Sequence, residues 1–167
     1  MQPAAWTARL CMSAEPIRFT LDTSILVYSV DSAAGLRHKL AVEIVDRAAE
    51  LDCWMTLQAI SEFYAAATRK GIVPAADAAA LANDWLEIFP SVAVSKAAVY
   101  TALADAAAGR AAYWDALLVA TASEAGCTVI LSEDLADGAK LGKVRIINPF
   151  AARGLAAPAK KLLGLDR

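Results

Sequence analysis

The sequence predicts an α/β fold, a three-layer α/β/α sandwich with a central, mainly parallel sheet. Short apolar runs alternate along the chain with longer segments of helical periodicity, the order expected of βαβ units. Such units place helices on both faces of the sheet. A length of 167 residues and an apolar fraction of 58% are enough for one buried core, but not for two ordinary domains with a linker. We therefore look for a single functional site.

Apolar runs predict four strands and one shorter extended segment. In chain order they are residues 17–21, 53–57, 92–94, 128–132 and 144–147, of which 92–94 is the shorter segment. The helical segments, from the spacing of their apolar residues, are 25–30, 36–51, 58–70, 74–89, 95–109 and 116–125. The two sets alternate for most of the chain, which is the basis of the fold prediction.

Capping residues mark several of the helix ends. Asp22-Thr23-Ser24 suits the N-cap of the first helical segment, and Ser95 suits the start of the fifth. Gly71 stands where a left-handed cap is expected after the third, and Gly126 closes the last. Pro90 stops the fourth. The ends therefore agree with the periodicity.

The folded domain is predicted at residues 17–150. Residues 1–16 form an N-terminal extension and residues 151–167 a C-terminal tail, both expected outside the core. The first thirteen residues lack the features of a secretory signal, and no apolar run is long enough to span a bilayer. We expect a cytoplasmic protein that does not enter membranes.

Cysteine and histidine offer little chemistry. Cys11, Cys53 and Cys127 are widely separated and lack metal-site spacing, so neither a disulfide framework nor a zinc site is expected. His38 is the only histidine and is expected on a helix surface. The net charge of -2 provides no general attraction for nucleic acid, so any such contact needs a local basic patch.

Four acidic residues are predicted to share one edge of the sheet. Asp22 and Asp134 each follow an apolar strand, and ligands of parallel sheets lie beyond the carboxyl ends of strands. Asp115 and Glu62 lie near the starts of two helices that can face the same edge. Clustered carboxylates need positive charge nearby, and oxygen ligands suit Mg²⁺ or Mn²⁺. Hydrolysis of a phosphodiester with such an ion requires no histidine.

Each acid also has a simpler interpretation. Asp22 and Asp115 suit helix starts as ordinary capping or first-turn acids, and Glu62 suits a solvated helix face. Asp134 has rivals in Glu133 and Asp137. The nearby hydroxyl residues Thr23, Ser24 and Ser132 suit helix capping better than support of a metal ligand. The aromatic residues Tyr113 and Trp114 suit the core better than stacking on nucleic-acid bases.

Four segments resemble the motifs of PIN domains, in the same order. They are FTLDTSILVYSVD, AISEFYAAA, YWDALLVATASEAGC and LSEDLADG followed by IINPF. The resemblance covers about residues 17–150 and implies a Mg²⁺- or Mn²⁺-dependent endoribonuclease, often the VapC toxin of a VapBC toxin-antitoxin pair. It implies that Asp22, Glu62, Asp115 and Asp134 are the metal-coordinating catalytic acids, with Thr23 and Ser132 as accessory hydroxyls.

The resemblance also implies partners, namely an RNA substrate, an antitoxin protein and a second copy of the chain in a homodimer. Arg110, Lys140 and Lys143 are candidates for contact with RNA because they flank the third and fourth motifs, although they equally suit a solvated surface.

The main alternative function is a PIN-like module that binds RNA or protein without cutting. A phosphatase of the haloacid dehalogenase type is disfavoured because Ser24 replaces its second acid. A dinucleotide-binding enzyme is disfavoured because no G-x-G-x-x-G follows the first strand.

Overall fold

The computed structural model describes residues 17–166, so the predicted extension at 1–16 lies outside the described residues. The strands are β1 (Phe19–Leu21), β2 (Met55–Thr56), β3 (Ser91–Val92), β4 (Val129–Leu131), β5 (Lys140–Leu141), β6 (Val144–Ile147), β7 (Phe150–Ala151) and β8 (Gly154–Leu155). The helices are α1 (Thr23–Val30), α2 (Leu36–Ala48), α3 (Leu57–Arg69), α4 (Ala75–Ile88), α5 (Lys96–Ala107), α6 (Tyr113–Glu124) and α7 (Ala157–Leu163). A short 3-10 helix, Ser32–Ala34, precedes α2.

The central sheet has the strand order β1-β4-β6-β5. Its first three strands are parallel, and β5 pairs with β6 in the antiparallel direction at the edge. A second parallel pair, β2 and β3, lies beside β1, where the backbones of Phe19 and Cys53 form a bridge. The prediction of an α/β fold with a mainly parallel central sheet is confirmed.

Alternation along the strands divides the core between two faces of the sheet. Leu131 and Ile147 pack on one face with residues of α1 to α4 and α7. Ile130 and Ile146 pack on the other with residues of α6. Helices therefore cover both faces, and α5 packs on α6 through a third apolar cluster.

The first face is anchored by an aromatic pair. Phe63 of α3 is 0% exposed, and its ring lies 4.6 Å from the ring of Trp85 of α4 in an edge-to-face arrangement. Edge-to-face packing stabilises such a pair beyond the burial of its surface. The contact fixes α3, which carries Glu62, against α4.

The expected position of the C-terminal tail is wrong. The β7–β8 hairpin begins at Phe150 and is followed by α7, and Leu155, Ala159 and Leu163 are buried in the main core. Ala159 and Leu163 are four residues apart and so lie on one helix face, where they pack as any core helix does. The tail is rich in alanine, glycine and lysine, and this composition did not indicate an apolar helix face. The domain boundaries themselves stay predictions.

Two cysteines are buried as free thiols. Cys53 and Cys127 lie in the core, and burial raises the pKa of both, that of Cys127 to about 11. Cys11 lies outside the described residues. His38 is half-buried, and its Nδ1 lies 3.0 Å from the carbonyl oxygen of Tyr28. Within residues 17–166, no helix is long and apolar enough to cross a membrane.

Candidate active site

Asp22 links the end of β1 to the start of α1. Its backbone N–H donates to the Leu131 carbonyl at 2.9 Å, and its carboxylate caps α1 by accepting the Thr23 N–H at 2.7 Å. The second carboxylate oxygen accepts hydrogen bonds from the hydroxyls of Ser132 at 2.6 Å and Ser24 at 3.2 Å. Capping therefore describes Asp22 correctly, but its carboxylate is also held towards the end of β4.

Ser132 connects two of the predicted acids. The residue is fully buried, and while its hydroxyl donates to Asp22 it accepts the backbone N–H groups of Asp134 and Leu135, each at 3.1 Å. A hydroxyl has one donor and two acceptor positions, so all three are used. The loop that carries Asp134 is thereby attached to the first strand's end.

Glu62 faces the same region from α3. One carboxylate oxygen accepts the Thr23 hydroxyl at 3.3 Å, and the other accepts the side-chain amide of Gln58 at 2.8 Å. The same Gln58 nitrogen donates to the Trp114 carbonyl oxygen at 3.1 Å. Both partners are acceptors, so the orientation of the amide is fixed. Gln58 thus joins α3 to the start of α6, beside Asp115.

Gln58 is a residue that sequence reasoning missed. The sequence feature that could have identified Gln58 is its position four residues before Glu62, because this spacing places two side chains together on one helix face. Its second contact, with the backbone of α6, spans 56 residues and has no signature in the sequence.

The four acids influence one another electrostatically. Burial raises the pKa of Asp22 despite its hydrogen bonds, and the charge of Asp134 adds to the increase. Burial also raises the pKa of Asp115, with further contributions from the charges of Asp134 and Glu62. These couplings connect all four residues in one negatively charged region at the carboxyl ends of β1 and β4.

Glu133 and Asp137, the rivals of Asp134, have other partners. Glu133 forms an ion pair with Arg37 of α2, and Asp137 accepts the Asn148 N–H at 2.8 Å. The pKa of Glu133 is lowered, because hydrogen bonds and the charge of Arg37 together outweigh the effect of burial. Asp134 is exposed and makes no ion pair within residues 17–166.

The donor chemistry of this region fits a hard divalent cation. In the described part of the chain, none of the four acids has a basic ion-pair partner. In that same part, no three His, Cys, Asp or Glu side chains are close enough to form a ready-made metal cage. Mg²⁺ in proteins commonly binds one or two carboxylates and keeps several waters. Simultaneous coordination by all four acids stays a prediction.

Two of the three basic candidates, Arg110 and Lys140, line a cavity beside α5 and α6. Arg110 forms an ion pair with Asp105 of α5 at 2.6 Å, and Asp105 also lines this cavity, whose volume is about 390 Å³. None of the four acids lines this cavity. Lys143 is exposed in the turn between β5 and β6. Contact of these residues with RNA stays a prediction.

Trp114 is not a core residue, contrary to the expectation from sequence. It is 60% exposed, whereas Tyr113 packs against the α5–α6 cluster. The two rings contact edge to face, with centroids 5.2 Å apart. Trp114 lies in the first turn of α6, and its exposed side chain lines a groove that Glu62 also lines.

The raised pKa of Asp115 predicts a pH-dependent effect on stability. Because the pKa of Asp115 is higher in the folded state than in the unfolded state, the folded protein binds this proton more tightly. The ionised carboxylate therefore lowers the stability of the fold increasingly as the pH rises from the unfolded-state pKa to the folded-state pKa. In EDTA, we expect Asp115→Asn and the wild type to have the same melting temperature at about pH 3, below the ordinary pKa of 3.8, and Asp115→Asn to have the higher melting temperature at about pH 7. A melting temperature that is lower by the same amount at both pH values would contradict this origin.

Comparison with known proteins identifies the family. The family model for the PIN domain matches residues 19–136. No curated protein matches the sequence significantly. Among solved structures, Mycobacterium tuberculosis VapC20, a toxin that cleaves the sarcin-ricin loop, has a TM-score of 0.56 at 15% identity over 70% of this chain and 89% of its own.

Two DNA-bound VapBC complexes are also similar. The complex VapBC2 from Rickettsia felis gives a TM-score of 0.56 at 10% identity, over 78% of this chain and 97% of the matched one. VapBC from Salmonella typhimurium gives 0.52 at 14% identity, over 78% and 96%. At these identities the likeness concerns the fold, and the family assignment depends on the sequence match. The chain belongs to the PIN domain family, and its fold is that of VapC-type toxins.

Proposed function

We propose that this chain is an endoribonuclease that depends on Mg²⁺ or Mn²⁺ and hydrolyses RNA phosphodiester bonds. The observation that carries the proposal is the electrostatic coupling of Asp22, Glu62, Asp115 and Asp134, with no basic ion-pair partner for any of them among the described residues. Such an arrangement is unfavourable for an empty protein and favourable for one that binds a cation.

The protein residues have separable roles in this proposal. The four carboxylates would hold the cation, and Ser132 and Gln58 orient Asp22 and Glu62 through hydrogen bonds. A divalent cation held by these residues would supply charge stabilisation at the phosphate and would lower the pKa of a bound water, so the reaction would need no histidine. Thr23, whose hydroxyl contacts Glu62, is the accessory hydroxyl of the first motif.

We further propose that the chain is the toxin of a VapBC-type pair, controlled by an antitoxin, and that it forms a homodimer. Support comes from the family match and from the shared fold with chains of VapBC complexes. The exposed aromatic and aliphatic side chains of α5, Tyr100 and Leu103, provide apolar surface for such partners.

Cleavage by the purified wild-type chain tests the catalytic proposal. We expect single-stranded and hairpin RNAs to be cut in MnCl₂ or MgCl₂ and to stay intact in EDTA, and expression in a bacterial host to arrest growth. A folded chain that cuts none of these RNAs and binds no Mn²⁺ would favour the alternative, a PIN-like module that binds RNA or protein without cutting. Cutting that persists in EDTA would overturn the metal dependence alone.

A further inference from the structure

An ion pair joins α2 to the loop that carries Asp134. The Arg37 Nε donates to Glu133 at 2.7 Å, and a second guanidinium nitrogen contacts the same carboxylate oxygen. The two residues are 96 positions apart in the sequence. The Glu133 side chain is only 17% exposed, while that of Arg37 is 50% exposed.

Aromatic rings fix the guanidinium from two further elements. It lies 5.9 Å from the ring centre of Tyr28 in α1 and 5.8 Å from that of Phe150 in β7. These rings contact each other edge to face at 5.7 Å. Interaction with Glu133 also raises the pKa of Tyr28 to about 12. The pair is therefore held from several sides.

The position of Arg37 has an electrostatic cost unless it is paired. It occupies the first turn of α2, and a cation is disfavoured at the positive end of a helix dipole. The carboxylate of Glu133 suits this position and offsets the cost. Without Arg37, Glu133 would be a mostly buried, unpaired negative charge directly beside Asp134.

We propose that Arg37 is a positioning residue for the acidic site, acting through Glu133. The proposal rests on the proposed function. Ser132 holds the loop from inside, at the Asp134 N–H, and the Arg37–Glu133 pair holds it from outside, one residue away. Together they direct Asp134 towards Asp22.

Binding of Mn²⁺ to the full chain, followed by electron paramagnetic resonance of the free ion, tests the pair. We expect Arg37→Gln to weaken Mn²⁺ binding by about tenfold, the size typical for a residue that orients a metal ligand. Arg37→Lys should recover part of this loss. Lys39→Gln is the matched control, because it removes one positive charge from an exposed position on the same helix, and it should bind as the wild type does.

A double-mutant cycle separates positioning by Arg37 from direct coordination by Glu133. If Glu133 acts only as the partner of Arg37, adding Glu133→Gln to Arg37→Gln should change the Mn²⁺ dissociation constant by less than about twofold. If Glu133 instead binds the cation, its substitution should weaken binding by the same factor in both backgrounds, and the proposal is wrong.

The remaining outcomes are equally decisive. If the Arg37→Gln variant binds Mn²⁺ as tightly as the wild type, Arg37 has no positioning role, even if the melting temperature of the variant is lower. A wild type that binds Mn²⁺ and cuts RNA upholds the proposed function whatever the variants do. A wild type that does neither overturns the proposed function, and the role of Arg37 with it.

Discussion

Replacing Asp115 with asparagine is expected to reduce the proposed metal-dependent RNA cleavage by at least about 100-fold, since the change removes one of the four charges that we propose hold the cation. Asp115 lies in the first turn of α6, coupled electrostatically to Asp134 and Glu62. Within residues 17–166 its carboxylate makes no side-chain hydrogen bond that asparagine would break. The substitution should therefore separate catalysis from folding.

Asp115 is a cleaner test than Asp22 because of the hydrogen bonds at Ser132. The Ser132 hydroxyl donates to Asp22 and accepts two backbone N–H groups, so it has no position left for an added amide donor. Asp22→Asn would disturb the loop as well as the charge. A loss of activity in that variant would have two explanations, whereas in Asp115→Asn it has one.

The measurement is the initial rate of cleavage in Mn²⁺, with circular dichroism and the melting temperature in EDTA as checks of folding. Glu124→Gln is the matched control, because Glu124 ends the same helix, far along it from Asp115, and loses the same charge. The control should cut at the wild-type rate. If Asp115→Asn also cuts at that rate, Asp115 has no role in catalysis.

Truncating Phe63 to alanine is expected to lower the free energy of unfolding by about 3–5 kcal/mol, the usual cost of removing a buried phenylalanine. Phe63 is fully buried and packs on Trp85, so the surrounding helices cannot close the cavity without moving α3. The cost combines lost burial, lost edge-to-face contact and the cavity left behind.

Urea unfolding of the wild type, Phe63→Ala and Tyr64→Ala measures this effect. Tyr64 is the next residue on the same helix and is 42% exposed, so its truncation should cost less than about 1 kcal/mol. An equal decrease in the free energy of unfolding in the two variants would show that helix propensity, and not packing between α3 and α4, accounts for the change.

Local signals in the sequence predicted most of the fold. Ser95 caps α5 by accepting the Ala98 N–H at 2.9 Å, and Gly71 adopts the left-handed conformation at φ 62°. The strand at 144–147 matches β6 at both ends. These features depend on residues close in the chain, where side-chain chemistry and periodicity act directly.

Contacts between distant residues were not predictable in the same way. The Arg37–Glu133 pair and the bond from Gln58 to the Trp114 carbonyl depend on how helices are oriented on the sheet. Sequence reasoning placed Glu133 among the candidates for the fourth acid, because proximity in the chain does not reveal which of three carboxylates already has a partner. The burial of α7 was not predicted for a related reason. A short helix with a few alanine and leucine residues on one face has the same sequence pattern whether that face is buried or solvated.

The burial of α7 means that the core extends beyond the stretch matched by the family model. That stretch ends at residue 136, before β6, the strand that pairs with β4 in the middle of the sheet. A fragment cut there would leave β4 with an open edge and the first core face without Leu155 and Leu163. Expression of this protein for biochemical work therefore calls for the chain through α7, whatever the limits of its sequence motifs.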